Sequence, residues 1–151
     1  MNSIVDSIKE LKDRLSWDEY FMSAAYLVSQ RSPCERLHVG CVLVKDNRII
    51  ACGYNGFIAG APHVGHVRDG HEQMTIHAET NAIADCSKRG VISNECTAYI
   101  THFCCINCTK ILIASGINKI VYAEDYKNDD LVYKLCENGN VGIFRFNISR
   151  D

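Results

Sequence analysis

"TIHAETNAIADCSKRG" (75–90) and "TAYITHFCCINC" (97–108) decide how this chain is read. The first predicts a helix from about His77 to Arg89, with Gly90 as its stop signal. "TAYITH" (97–102) alternates as a strand does. A second helix is expected over Cys105 to Ser115, stopped by Gly116. A histidine therefore stands at the start of one helix and a pair of cysteines at the start of the next, with one strand between them.

Outward from this unit the pattern extends in both directions. Toward the N-terminus, Ile4, Ile8, Leu11 and Leu15 fall on one face of an amphipathic helix over residues 4–15. "SWDE" (16–19) matches a capping box, so a second helix begins at Trp17. Its stripe includes Tyr20, Phe21, Ala24 and Val28, and Pro33 marks its end. "VGCVLV" (39–44), the turn "KDN" and "RIIACGY" (48–54) read as a β-hairpin. Residues 53–71 hold five of the ten glycines and one of the two prolines, and predict a long loop. Toward the C-terminus come a strand, "KIVYAE" (119–124), a helix over 128–138 ended by Gly139, and a last strand, "VGIFRF" (141–146). The order α-α-β-β-α-β-α-β-α-β implies a single α/β domain over 1–151. It is a three-layer α/β/α arrangement in which helices cover both faces of a mixed five-stranded sheet, with 1–16 as a helical extension. No internal repeat, linker or low-complexity tract interrupts it.

Composition narrows the function. Hydrophobic residues make up 47% of 151, enough for one core. The formal charge is −2 and no basic stripe is present, which argues against polymeric nucleic acid as a partner. A small molecule fits better. Nine cysteines, at 34, 41, 52, 86, 96, 104, 105, 108 and 136, are odd in number and several lie in apolar runs. That suits reduced thiols and a metal rather than a disulfide scaffold. No run approaches the roughly 18 apolar residues a membrane span needs. The expectation is a soluble, cytoplasmic protein without a membrane partner.

His77, Cys105 and Cys108 form a ligand set suited to zinc. Zinc favours nitrogen and sulfur in a tetrahedron, and a catalytic site keeps one position for water. Cys105 and Cys108 are three apart at a helix start, so both sulfurs can point one way. The positive ends of two helix dipoles would favour the thiolates. Glu79, two residues past His77, diverges from it along the helix and could stand beside the water without binding the metal. A Cys-x-x-Cys alone reads as structural zinc or redox chemistry, and a His-Ala-Glu alone as a helix start whose glutamate suits the dipole. The joint pattern is more specific, being close to the signature of zinc nucleobase deaminases, His-x-Glu followed by Pro-Cys-x-x-Cys.

"HAETNAI" and "CCINC", with "VGCVLVKDNRIIACGYNG" and "INKIVYAEDY", resemble the deoxycytidylate (dCMP) deaminase family of the cytidine deaminase superfamily from about Trp17 to Tyr126. The resemblance implies the cytidine-deaminase-like fold and hydrolysis of dCMP to dUMP and ammonia, which supplies dUMP for thymidylate synthesis. It implies Zn²⁺ on His77, Cys105 and Cys108. Glu79 would shuttle a proton from water to N3 of the base and then to the leaving amine. The resemblance places the Ala78 amide against the base and Tyr126 against the substrate. Asn55 is the candidate for the sugar; the other reading of Asn55-Gly56 is a type I′ turn. The resemblance further implies a homo-hexamer activated by dCTP with Mg²⁺ and inhibited by dTTP, with Gly53, Tyr54, Asn55, Gly56 and Arg36 as the candidate effector site. Arg31, Arg36, Arg68 and Lys110 are available for phosphate, and the sequence does not choose among them.

The chain departs from the family pattern at two places. The proline before the cysteine pair is Cys104, which raises the question whether Cys104 or Cys105 is the ligand; the spacing to Cys108 favours Cys105. Some relatives hold a second, structural zinc, and one of its histidine positions is Thr75 here. Cys34, Cys52, His63, His66 and His71 remain as candidates. The competing functions are a deaminase of other range (dCTP as well as dCMP, free cytidine, or tRNA adenosine), a non-catalytic zinc module, and a thiol redox protein using Cys104, Cys105 and Cys108.

Overall fold

The computed structural model describes residues 1–148. Its elements in chain order are α1 (Ile4–Lys9), α2 (Trp17–Ser29), β1 (Gly40–Lys45), β2 (Arg48–Tyr54), β3 (Gly56–Phe57), β4 (Val67–Arg68), β5 (His71–Glu72), β6 (Thr75–Ile76), α3 (Ala78–Arg89), β7 (Thr97–His102), α4 (Ile106–Ala114), β8 (Lys119–Glu124), α5 (Asp130–Asn138) and β9 (Gly142–Arg145). Five strands form one mixed sheet in the order β2-β1-β7-β8-β9. β1 is antiparallel to both neighbours, while β7, β8 and β9 run parallel.

The continuous apolar run of β1 has a plain cause. Cys41 and Leu43 face one layer, Val42 and Val44 the other, and all four are buried. On the first face α3, α4 and α5 bring Ala78, Ala82, Cys108, Leu112, Val132 and Cys136 onto Ile100 and Ile120. On the second, α2 lays Phe21, Met22 and Ala25 against Tyr99, Val121 and Ala123. Two tyrosines bolt α2 to the sheet. Tyr99 donates its hydroxyl to Asp18 Oδ1 at 2.6 Å, and Tyr26 donates to Glu124 Oε2 at 2.6 Å. The expected three-layer α/β arrangement with a mixed five-stranded sheet is the one observed.

The β-hairpin turns on Asp46 and Asn47, whose φ angles of 51° and 56° place both in the left-handed region, as the right-handed strand twist demands. Ser16 and Glu19 form the capping box that starts α2. Two expectations are corrected. The N-terminal helix ends at Lys9 rather than running to residue 15, and Ile4, Ile8 and Leu11 are exposed. Its periodicity has no core to face in this chain, so little beyond its own capping box supports it. The loop expected over 53–71 is partly ordered, because β3 pairs with β6 and β4 with β5. Glu72 organises that second pair by accepting the amides of His66 and Met74, both at 2.9 Å. No helix among the described residues is long and apolar enough to cross a membrane.

One packing detail positions everything that follows. α3 lies so close on β2 that a Cβ at Gly53 would stand 2.4 Å from both Ala78 O and Ala82 N. Only glycine fits there, and the residues across from it are alanines. We expect Gly53→Ala to lift the first turn of α3, lowering stability by about 1–3 kcal/mol in a denaturant titration and weakening metal retention with it. Unchanged stability and metal content would contradict this packing.

Candidate active site

The first turns of α3 and α4 meet at the carboxyl end of β7. His77 is the N-cap of α3, with φ −65° and ψ 151°, and its side chain makes no capping bond, so the ring is free to leave the helix. Cys105 is the N-cap of α4, where its sulfur accepts the Cys108 amide at 3.4 Å. Cys108 follows in the first turn and is buried. His77 Nδ1 lies 3.6 Å from Cys105 Sγ and 3.4 Å from Cys108 Sγ. All three ligand atoms fall within 4.8 Å of one another.

These separations suit zinc. Bonds of ~2.3 Å to sulfur and ~2.0–2.1 Å to nitrogen, set at tetrahedral angles, put nitrogen and sulfur about 3.6 Å apart. Among the described residues this is the one group of three or more histidine, cysteine or acidic side chains arranged to share an ion. Three protein ligands, two of them solvent-exposed, leave a face of the tetrahedron open. Thr80 Oγ1, 3.6 Å from Cys108 Sγ, supports the buried sulfur from behind.

The electrostatics follow from crowding. The Cys108 thiol, and then the His77 ring, hold the Cys105 pKa well below the ordinary thiol range, while Cys108, beside the Cys105 thiolate and desolvated, is pushed far up. The Cys105 sulfur in turn raises the pKa of His77. A divalent cation among them would displace the remaining protons, so metal binding releases acid. Glu79 is 4% exposed, and burial raises its carboxyl pKa; a hydrogen bond to its own backbone, the His77 charge and a hydrogen bond with Cys108 pull the other way. This carboxylate is buried at the metal group without being part of it.

Cys104 stands outside the group. It is buried in the core with its sulfur 3.1 Å from Thr109 Oγ1, and desolvation pushes its pKa up to about 12. The second-metal candidates are not brought together. Cys34 Sγ faces Asn55 O at 3.7 Å, Cys52 is exposed on β2, His63 stacks on Phe57, and His66 and His71 are exposed.

Asn55 is half-buried and both ends of its amide are engaged: Oδ1 accepts Val39 N–H at 2.9 Å and Nδ2 donates to Leu37 O at 2.8 Å. Neither Asn55 nor Gly56 has a positive φ, so this is not a type I′ turn. Tyr54 is half-buried, and Gly53 and Gly56 are buried. Ala78 is fully buried in the first turn of α3. Tyr126 is half-buried just beyond β8, and Arg31, Arg36, Arg68 and Lys110 are all exposed. Sequence reasoning passed over Asn81, whose Nδ2 donates to Tyr54 O at 2.8 Å and ties α3 to the end of β2. Its place four residues after His77, one helical turn on, was the available signal.

Residues 15–124 match the family described as the cytidine and deoxycytidylate deaminase zinc-binding region, and the chain belongs to that family. It is 45% identical over 135 residues to ComE operon protein 2 of Bacillus subtilis, covering 87% of this chain and 71% of that one. It is 32% identical over 170 residues to the deoxycytidylate deaminase of Saccharomyces cerevisiae, covering 100% of this chain and 54% of the yeast protein. The crystal structure of the dCMP deaminase from cyanophage S-TIM5, in complex with dCMP and dUMP, superposes with a TM-score of 0.79 at 28% identity, covering 89% of this chain and 100% of that one.

Elemental analysis of the purified protein should give about one zinc per chain. Cys105→Ala should lose it and Cys104→Ser should keep it. The reverse pattern would move the ligand to Cys104.

Proposed function

We propose that the chain is a zinc-dependent dCMP deaminase that hydrolyses the 4-amino group of dCMP to give dUMP and ammonia. The observation that carries this reading is the buried Glu79 carboxylate beside a His-Cys-Cys group with an open face. A structural zinc module has no use for a buried acid at an open corner, and a dithiol redox site has no use for the histidine. The phage dCMP deaminase, bound to substrate and product, shares the fold.

His77, Cys105 and Cys108 would hold the metal. When bound, zinc supplies the Lewis acidity that makes water a nucleophile near neutral pH. Glu79 would take one proton from the attacking water and deliver it to N3 of the pyrimidine, then take the second from the hydroxyl added at C4 and give it to the 4-amino nitrogen as the C4–N bond breaks. Burial suits this carboxyl to the task by bringing its pKa nearer the working range. Ala78 is the first residue of α3, so its amide has no partner within the helix and suits an acceptor on the base. Asn55 and Tyr126 would line the sugar end. Asn55 fixes residues 37–39 with its side-chain amide, so in this reading it shapes the pocket wall as well as facing the ligand.

The regulatory part of the reading rests on the family resemblance. It has dCTP with Mg²⁺ as activator, dTTP as inhibitor, the Gly53–Gly56 segment with Arg36 as effector site, a hexameric assembly and a cytoplasmic setting. Arg36, whose guanidinium is exposed, is the cation this reading assigns to an effector phosphate.

Ultraviolet monitoring of cytidine, dCMP, dCTP and adenosine, with and without dCTP and dTTP, tests substrate and regulation together. dCMP should turn over fastest. Glu79→Gln should retain zinc and lose roughly 10²–10⁴-fold in kcat. Undiminished turnover in that variant would remove Glu79 from the reaction, and a preference for adenosine would displace dCMP.

A further inference from the structure

His102 has no part in the chemistry above, yet several elements hold it. It ends β7, three residues before Cys105, and its side chain is 12% exposed. Its Nδ1 lies 2.7 Å from Thr101 Oγ1, and its Nε2 lies 3.4 Å from Glu124 Oε2 on the neighbouring strand. Thr101 is completely buried, and its Oγ1 accepts the Gly40 amide at 3.1 Å. A buried hydroxyl proton needs an acceptor of its own, and Nδ1 is the one in reach. The tautomer follows: Nδ1 accepts, and Nε2, on the Glu124 side of the ring, carries the hydrogen. Glu124 receives the Tyr26 hydroxyl at 2.6 Å as well. Hydrogen bonds thus join β1 to Thr101 and Thr101 to the imidazole, and a 3.4 Å polar contact sets the ring against the Glu124 carboxylate that Tyr26 of α2 also holds.

The imidazole packs edge-to-face with Tyr126. The two rings meet at 80° with centroids 6.0 Å apart. Phe103 donates its amide to Glu124 O at 2.9 Å, so the strand ends leading to Cys105 and to Tyr126 are bonded to each other. The backbone amide of Tyr126 is held by Asn128 Oδ1 at 2.8 Å, and the Lys127 ammonium lies 5.4 Å from its ring centroid. The Tyr126 ring is thus oriented by packing, and the rigid member of that packing is His102.

We propose that His102 is a positioning residue for the deamination: anchored between Thr101 and Glu124, it fixes the angle at which the Tyr126 ring meets the nucleotide. The inference rests on the reading of Tyr126 as a substrate contact. An edge-to-face pair is worth about two- to tenfold in an equilibrium constant, and the loss belongs in KM because the geometry serves binding rather than the chemical step.

A double-mutant cycle on zinc-loaded protein tests it. His102→Leu should raise KM for dCMP about two- to tenfold, with kcat and zinc content little changed. Tyr126→Ala should raise KM at least as much, and the double variant should be no worse than Tyr126→Ala alone. If Tyr126→Ala leaves KM unchanged, the reading of Tyr126 fails and this inference with it. If Tyr126→Ala raises KM but the His102→Leu effect is absent or multiplies with it, Tyr126 stands and the positioning role of His102 is overturned. Should His102→Leu not fold, Glu124→Ala removes the same contact from its other end. A KM rise absorbed by Tyr126→Ala supports the inference, and an unchanged KM overturns it.

Discussion

The site depends on how closely α3 can lie against β2. Metal ligands on separate elements must be placed to within a few tenths of an ångström, and side chains cannot make up for a helix that stands too far off. Here Gly53 removes the Cβ that would strike Ala78 O and Ala82 N, and the alanines of α3 fill the shallow seam. The first turn of α3 then reaches the level at which α4 begins. His77 and Cys105, the N-caps of the two helices, face each other across the end of β7. Neither helix is capped by serine, threonine, asparagine or aspartate, the usual residues there. Cap stability has given way to ligand placement.

The rest of the sheet holds that arrangement still. β7 is the hinge of the architecture, antiparallel to β1 on one side and parallel to β8 on the other. Its carboxyl end delivers Cys105, while β8 delivers Tyr126. The tyrosine–carboxylate bonds from α2, Tyr26 to Glu124 and Tyr99 to Asp18, lock these strands from the opposite face. Part-buried, distance-spanning polar contacts of this kind specify one register more than they add net stability. Glu79 gains from the same enclosure, since a desolvated carboxyl holds its proton more tightly than one in water.

Much of this was legible in the sequence, for physical reasons that can be named. The capping box at Ser16, the left-handed turn at Asp46 and Asn47, and the glycine stops at Gly90, Gly116 and Gly139 are local signals that tertiary packing did not override. The His77, Glu79, Cys105, Cys108 spacing was readable because helix starts fix where such side chains go. Other features depend on contacts far apart in the chain. The N-terminal periodicity suggested a helix to residue 15, but amphipathicity stabilises a helix only where something covers its apolar face. The steric need for glycine at 53, the engagement of the Asn55 amide with residues 37 and 39, and the His102–Glu124 tether all join positions that no spacing rule connects. The Cys104 ambiguity was of the same sort, and the packing of its sulfur on Thr109 is what separates it from the ligand set.

The account stands on an open coordination sphere of one imidazole and two sulfurs with a buried acid at its edge. Zinc K-edge X-ray absorption on the purified protein reads that sphere directly. The account predicts two sulfurs at about 2.3 Å, one imidazole nitrogen at about 2.0–2.1 Å and one light atom from solvent. A third sulfur or a second imidazole in place of that solvent atom would mean a closed structural site, and the hydrolytic reading would fall.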